Sequence, residues 1–298
     1  MSELNSKNSN VVTQPAPDST GQLSIVATPI GNLADISQRA LHVLGSVDYI
    51  LAEDTRHSKR LLNHYAIGTK LRSCHEHNED SMVNWVAGQL DEGRNLALIS
   101  DAGTPLISDP GFVLVRALRA LGHTIVTVPG PSSIIAALSI AGLPTDGFVY
   151  DGFLPSKSGA RQASLSQYIN QPRTVVLLES SHRIKACLLD VIDVLGGGRQ
   201  IALGRELTKR FETVLAGSAQ DVSSTLQSDD DQCRGEFVLM IAGVPEVQKE
   251  EAEVSQILRI LVADLPVKQA ASIAAKLSGK RKNEVYDMAQ AIKDELNA

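Results

Sequence analysis

The stretch NLALISDAGTPLISDPGFVLVRALRALG (Asn95–Gly122) sets the fold class. Its first part, NLALISD, is a short continuous apolar run that ends in Asp101 and reads as a strand buried on both faces. Its last part, GFVLVRALRALG, repeats apolar residues at helical spacing and follows Asp109-Pro110-Gly111. Between them lies a loop of Gly, Pro, Thr and Ser with few bulky side chains. Strand, small-residue loop and helix in that order form one half of a βαβ unit.

The same alternation extends on both sides. LSIVAT (Leu23–Thr28) reads as a strand closed by Pro29 and the Gly31-Asn32 turn signal, with Asp35 expected to cap a helix that stops near Gly45. VDYILAE (Val47–Glu53) and HTIVTV (His123–Val128) complete four strands of a mainly parallel sheet covered by helices. A second block follows Pro144, with strand candidates FVYDGFLP, RTVVLLES, RQIALGREL, ETVLAG and GEFVLMIAG. A short segment that can be helical separates ETVLAG from GEFVLMIAG, so this sheet is expected to be mixed. Beyond Pro245 the pattern turns purely helical, at Val254/Ile257/Leu258/Leu261, Val267/Ala270/Ala271/Ala274 and Val285/Met288/Ala289/Ile292. Pro266 starts the middle helix, Gly279 ends it, and the three make a small bundle of helix-turn-helix type. The expected organisation is a disordered leader over 1–21, α/β domains over 22–131 and 132–244, and a helical tail over 245–298.

Composition narrows the function classes. The chain has 298 residues, 43% apolar and 21% charged, as in an ordinary two-domain globular protein. Its net charge is -6 and aromatics are 4%, so contact with nucleic acid must rest on local basic patches rather than a basic surface or a sheet of stacking rings. Three distant cysteines, Cys74, Cys187 and Cys233, suggest neither a metal cage nor a disulfide framework, and no metal is expected. No run is long enough to span a bilayer, which leads to the expectation of a soluble, cytoplasmic protein without membrane contact. There is no GxGxxG opening a helix and no GxxxxGK[ST], and the Gly196–Arg199 run GGGR reads as a helix stop. Dinucleotide dehydrogenases and P-loop phosphotransferases are thereby disfavoured.

Chemistry is expected at the strand ends ATPIGN, AEDTR, SDAGTPLISDPG, VPGPSS and ESSHR, because ligands of open α/β sheets bind at the carboxyl edge. These strings, with AGLPTDGF, LGREL and GEFVLMIAG, resemble the tetrapyrrole-methylase superfamily, and most nearly its branch that methylates small-subunit ribosomal RNA. The resemblance runs from about Leu23 to Ala298. It implies two α/β domains with S-adenosylmethionine in the cleft between them, a homodimer, and 2'-O-methylation of the ribose of cytidine 1402 in 16S ribosomal RNA within the small subunit. It further implies cofactor contacts from Pro29, Ser100, Asp101, Ala102, Gly103, Thr104, Ile107, Ser132, Ser133, Glu179 and Ala202.

These roles have a physical basis. Backbone amides of Ala102 and Gly103 suit the cofactor's carboxylate and Asp101 its ribose hydroxyls, although Asp before Ala-Gly is also a routine turn residue. A ribose hydroxyl is a weak acid, so a base or cation helps remove its proton. Candidates are Asp54, Arg56, Glu179, His182, Arg183, Arg205 and Glu206, against the plainer alternative of structural ion pairs and a locally bonded histidine. RNA-contacting candidates are Arg56, Lys59 and Arg60, then Lys157 and Arg161, then Arg205, Lys209 and Arg210, and in the tail Lys276, Lys280, Arg281 and Lys282. Two other readings compete. One is a methylase of a small tetrapyrrole or protein side chain; the other is a non-catalytic nucleic-acid-binding regulator.

Overall fold

The computed structural model describes residues 20–244 and 246–297, and the chain divides into two compact units, the first ending with Ser132 and the second beginning with Ser133. The expected leader falls, except for Thr20 and Gly21, outside the described residues. Gly21 itself is part of the packed chain: it is buried, its N–H donates to the Leu90 carbonyl, and a Cβ there would run into the Arg94 backbone.

The first unit runs β1 (Gln22–Val26), α1 (Gln38–Ser46), β2 (Tyr49–Ala52), α2 (Thr55–His64), β3 (Lys70–Ser73), α3 (Glu79–Asp91), β4 (Leu96–Ile99), α4 (Phe112–Ala120) and β5 (Thr124–Val128). All five strands are parallel, in the order β3-β2-β4-β1-β5. Successive side chains of a strand point to opposite faces, and here both faces are apolar. Ile50, Ala52, Ala97 and Ile99 pack with α1 and α2, whereas Leu51, Leu96 and Leu98 pack with α3 and α4. That double burial is why these strands are unbroken apolar runs.

Two local expectations are corrected. The cap of α1 is Ser37, whose Oγ accepts from the Ala40 N–H at 3.1 Å; Asp35 lies in a 3-10 turn one step earlier. The sheet also has a fifth strand, β3, which the sequence KLRS does not announce. It is a short edge strand bearing Lys70 and Arg72, a usual way of protecting an edge, and its Arg72 guanidinium lies 4.0 Å from the centroid of the Trp85 ring.

The second unit runs α5 (Ser133–Ile140), β6 (Phe148–Phe153), α6 (Ser158–Leu165), β7 (Thr174–Ser180), α7 (Ile184–Leu195), β8 (Gln200–Arg205), β9 (Thr213–Ser218), α8 (Ala219–Ser228) and β10 (Glu236–Ile241). Its sheet is mixed, in the order β6-β7-β10-β8-β9: β6 and β7 are parallel and the other pairs antiparallel. Strands β6, β7 and β8 therefore point the same way and share a carboxyl edge. Gly196, at φ +86, stops α7. The tail follows as α9 (Glu246–Asp264), α10 (Val267–Ser278) and α11 (Lys282–Asn297), closed on Val254, Leu258, Val262, Ala270, Ala271, Ala274, Val285, Ala289 and Ile292. Pro266 caps α10, and Gly279 ends it at φ +72. Among the described residues, no helix is long and apolar enough to cross a membrane.

The start of α4 is stabilised from a distance. Gly111 offers it no side-chain cap; instead Glu79, 5% exposed at the start of α3, accepts from the N–H groups of Val113 (3.0 Å) and Leu114 (3.4 Å). An anion there is favoured by the helix dipole. Glu79→Ala would orphan two N–H groups and is expected to lower stability by about 1–3 kcal/mol, measured by urea denaturation; an unchanged midpoint would refute the capping role.

Candidate active site

At the carboxyl edge of the first unit, three loops are tied together. Thr28 and Gly103 form a two-way backbone bridge, with Thr28 N–H to Gly103 O at 2.8 Å and Gly103 N–H to Thr28 O at 3.0 Å. The Thr28 hydroxyl donates to the Ser100 carbonyl (3.1 Å), and the Thr104 hydroxyl to the Pro131 carbonyl (3.2 Å). The loops after β1, β4 and β5 thus converge on Gly103. Its φ of +79 favours glycine, and a Cβ there would stand 3.4 Å from Ile30 Cγ2. Leu106 and Ser108 hold left-handed φ values of 73 and 64 without being glycine, a strain characteristic of ligand-handling loops. Pro29 is buried beside the bridge, Ser100 is buried, Asp101 and Thr104 are half-buried, and Ala102 and Ile107 are exposed. One expectation fails: the Gly103 amide donates to Thr28, so it is not a donor for a ligand carboxylate.

The acidic residues beside this junction divide by task. Asp101 Oδ1 accepts from the Asp54 N–H (3.2 Å), linking the β2 and β4 loops. Asp54 caps α2, its Oδ1 accepting from Arg56 N–H (2.7 Å) and His57 N–H (3.3 Å). Those two amides hold its carboxyl below the ordinary range, so it is a poor proton acceptor. Glu53 is opposite in character: burial raises its pKa, and Asp101, Asp109, Asp54 and Glu76 raise it further. Asp109 is also raised, by burial and then Asp101, against the opposing hydrogen bond from Ser100.

The second unit gathers most of the other catalytic candidates at the shared edge of β6, β7 and β8. Glu179, 3% exposed at the end of β7, faces Arg183, whose Nε is 3.0 Å from Oε1 and whose Nη2 donates to Oε2 at 3.1 Å. Arg183 Nη2 also donates to the Leu154 carbonyl past β6. Burial and then the Glu179 charge push the neighbouring Cys187 thiol up to about 12. This pair is built for positioning. His182 is exposed in the turn before α7. Arg205 spends its guanidinium on the carbonyls of Arg234, Asp231 and Phe211. Glu206 accepts from the Glu236 N–H (2.9 Å) and from Lys209 Nζ (2.9 Å); these offset the upward push of burial and hold its pKa low.

Register separates two expected partners. Glu179 pairs through Phe237 with Arg205, whereas Ala202 pairs through Met240 with Val176, so Ala202 is three residues down β8 and wholly buried. Ser132 closes the first unit, and Ser133 opens α5 in the second.

The basic candidates divide in the same way. Arg56, Lys59 and Arg60 are exposed on α2, as are Lys157 and Arg210 on their loops. In the tail Lys276, Arg281 and Lys282 are exposed and Lys280 is half-buried. Arg161 is a correction. It is 3% exposed and paired with Asp190 (2.6 Å), which also accepts from Ser158 and Gln162, so it joins α6 to α7 and offers RNA nothing. Lys209 is bound to Glu206 and Glu236. Sequence reasoning missed Thr28, Glu53 and Asp109 as site residues. All three stand inside the quoted strand-end strings, but their roles depend on neighbours up to 75 positions away.

Comparison with known proteins fits this architecture. Residues 22–223 match the family model of tetrapyrrole (corrin/porphyrin) methylases, and residues 248–293 that of the RsmI C-terminal HTH domain. Among solved structures, the methyltransferase CobJ superposes with a TM-score of 0.56 at 16% identity, covering 76% of this chain and 95% of its own. Uroporphyrin-III-C-methyltransferase from Thermus thermophilus gives a TM-score of 0.50 at 20% identity, covering 74% and 94%. These two likenesses speak for the fold alone. Among sequences, the ribosomal RNA small subunit methyltransferase I of Pseudomonas aeruginosa is 49% identical over 274 residues, covering 91% of this chain and 97% of that protein. Its namesake in Escherichia coli O157:H7 is 47% identical, covering 93% and 97%. The chain belongs to the tetrapyrrole methylase family and, within it, to the ribosomal RNA small subunit methyltransferase I family.

The crowding around Glu53 has a consequence for stability. A carboxyl with a raised folded-state pKa favours the fold when protonated; that contribution is complete below the ordinary value of 4.5 and is lost as pH rises through the raised value. At neutral pH the Glu53 charge is a cost. Glu53→Gln should therefore raise Tm at pH 7, with the gain shrinking toward pH 4; an equal gain at both pH values would contradict this origin.

Proposed function

We propose that this chain transfers a methyl group from S-adenosylmethionine to the ribose 2'-hydroxyl of cytidine 1402 in 16S ribosomal RNA, acting as a cytoplasmic homodimer on the small subunit. The observation that carries the reading is identity of 49% and 47% to methyltransferases of small-subunit ribosomal RNA, extending over at least nine-tenths of the chain. A methylase of a small tetrapyrrole has no need of a helical tail with the local cationic run Lys280–Lys282, and a non-catalytic regulator has no need of the glycine-bridged loops.

The residues at the first unit's carboxyl edge fit the cofactor. At Gly103 the chain takes a positive φ that side chains rarely adopt, and Asp101 keeps acceptor capacity for ribose hydroxyls beyond its bond from Asp54. The excess of carboxylates at Glu53, Asp101 and Asp109 suits a cation such as a sulfonium. When bound, S-adenosylmethionine supplies an electrophilic methyl on that sulfonium. The chain's own task is orientation, because holding two reactants in line removes much of the barrier. Exposed Arg56, Lys59 and Arg60 on α2, and Arg281 and Lys282 on the tail, are suited to phosphates. We assign proton removal from the hydroxyl to the Glu53–Asp109 group, whose carboxyls burial and mutual repulsion make better proton acceptors than Asp54, held low by two N–H donors.

The direct test incubates the protein with methyl-labelled S-adenosylmethionine and undermodified small subunits, then maps resistance to alkaline cleavage. Label at one cytidine 2'-oxygen is expected; label confined to protein or porphyrinoid would overturn the assignment. Gly103→Val, which puts a branched side chain at positive φ beside Ile30, should abolish cofactor binding in calorimetry while the chain remains folded. Reversing Arg56, Lys59 and Arg60 to Glu should weaken subunit binding and flatten its dependence on log salt by roughly one unit per lost phosphate contact, whereas an unchanged slope would remove α2 from the RNA surface.

A further inference from the structure

The chain has five phenylalanines, and Phe112, Phe153 and Phe211 are each more than half exposed. These three contribute little to folding where they stand. Phe211 stands out because its surroundings are rigidly built.

It lies in the loop joining β8 to β9, at the same sheet edge as Glu179. Two non-glycine residues of this loop, Glu206 and Thr208, hold left-handed φ values of 49 and 66. Such backbone persists only where its surroundings over-determine it, and here they do. Arg205 Nη1 donates to the carbonyl of Phe211 itself (3.2 Å), while its Nε and Nη2 bind the carbonyls of Arg234 and Asp231. Glu206 is held by the Glu236 N–H and Lys209; the Glu212 carboxylate accepts from the Thr208 N–H. Gly235, at φ +113, leaves no room for a Cβ beside the Glu206 side chain. At the end of this braced loop the Phe211 ring is 61% exposed, with the Arg210 guanidinium 5.4 Å from its centroid.

The backbone that carries the ring is fixed, yet the ring itself gains little from burial, which leaves it available to a partner. We infer that Phe211, flanked by Arg210, is a stacking platform for an unpaired nucleobase of the RNA substrate. Stacking on an aromatic beside a guanidinium is how single-stranded bases are held, and it is tolerant of sequence because every base has a π-face. The platform thus selects a base that is splayed from its helix rather than a particular base. Lys209, expected from the sequence to touch RNA, serves here to fix the loop, and the contact passes to its neighbours.

The inference rests on the RNA methylation reading, and its test separates the two. Full-length F211A, F211W and wild type are compared for affinity toward undermodified small subunits, for KM and kcat in methylation, for S-adenosylmethionine binding by calorimetry, and for mass by light scattering. F211A should bind subunits about tenfold more weakly, through KM, with cofactor affinity and mass unchanged, and F211W should restore binding. An active wild type with F211A equal to it overturns the platform alone. A lower mass for F211A overturns it in favour of a contact between copies of the chain. A wild type that labels no RNA overturns the parent reading and the platform with it.

Discussion

The backbone bridge between Thr28 and Gly103 is the constraint on which the candidate site depends. Neighbouring parallel strands diverge into separate loops once their ladder ends, and loops that must meet a ligand cannot be left to wander. Here β1 and β4 are ladder neighbours, and just beyond their ends the chain reverses its pairing and closes two hydrogen bonds between loops. The Thr28 and Thr104 hydroxyls extend that tie to Ser100 and to the β5 loop. The bridge is possible because position 103 takes positive φ at little cost as glycine, and Leu106 and Ser108 hold left-handed φ values in the same loop.

A different device organises the second unit. It is braced by charged groups placed against one another: Glu179 with Arg183 and Glu206 with Lys209 at its edge, and Arg161 with Asp190 between α6 and α7. Burying such pairs is weakly stabilising at best, because the desolvation of each charge offsets their attraction. What they provide is position, since each bond fixes a direction as well as a distance. Arg183 ties the end of β6 to that of β7, and Arg205 ties the β8–β9 loop to the turn before β10. Several residues that chemistry alone would nominate as acids, bases or RNA contacts are thereby committed to architecture. The exposed cations of α2 and the tail remain for an anionic partner, which accommodates a net charge of -6.

How much of this was legible beforehand follows from the range of each interaction. The continuous apolar strands, the stop at Gly196, the Pro266–Gly279 limits of α10 and the mixed second sheet are local patterns, set by burial on two faces and by backbone preference. Strand β3 was not legible, because an edge strand of four residues carrying Lys70 and Arg72 has no apolar signature. The cap at Ser37 was misplaced onto Asp35, because both side chains can cap and only the path of the chain chooses.

By itself, then, the sequence determined the alternation of strands and helices, the strand-end strings and the family they resemble, since these follow from periodicity and from residue types at short spacing. Only the tertiary structure decided which polar groups are still open to a ligand. Gly103's amide, Asp54's carboxylate and Arg161's guanidinium look alike available in one dimension. Each is withdrawn by a partner brought to it through folding, two of them from distant sequence positions, because a hydrogen bond is decided by proximity in space.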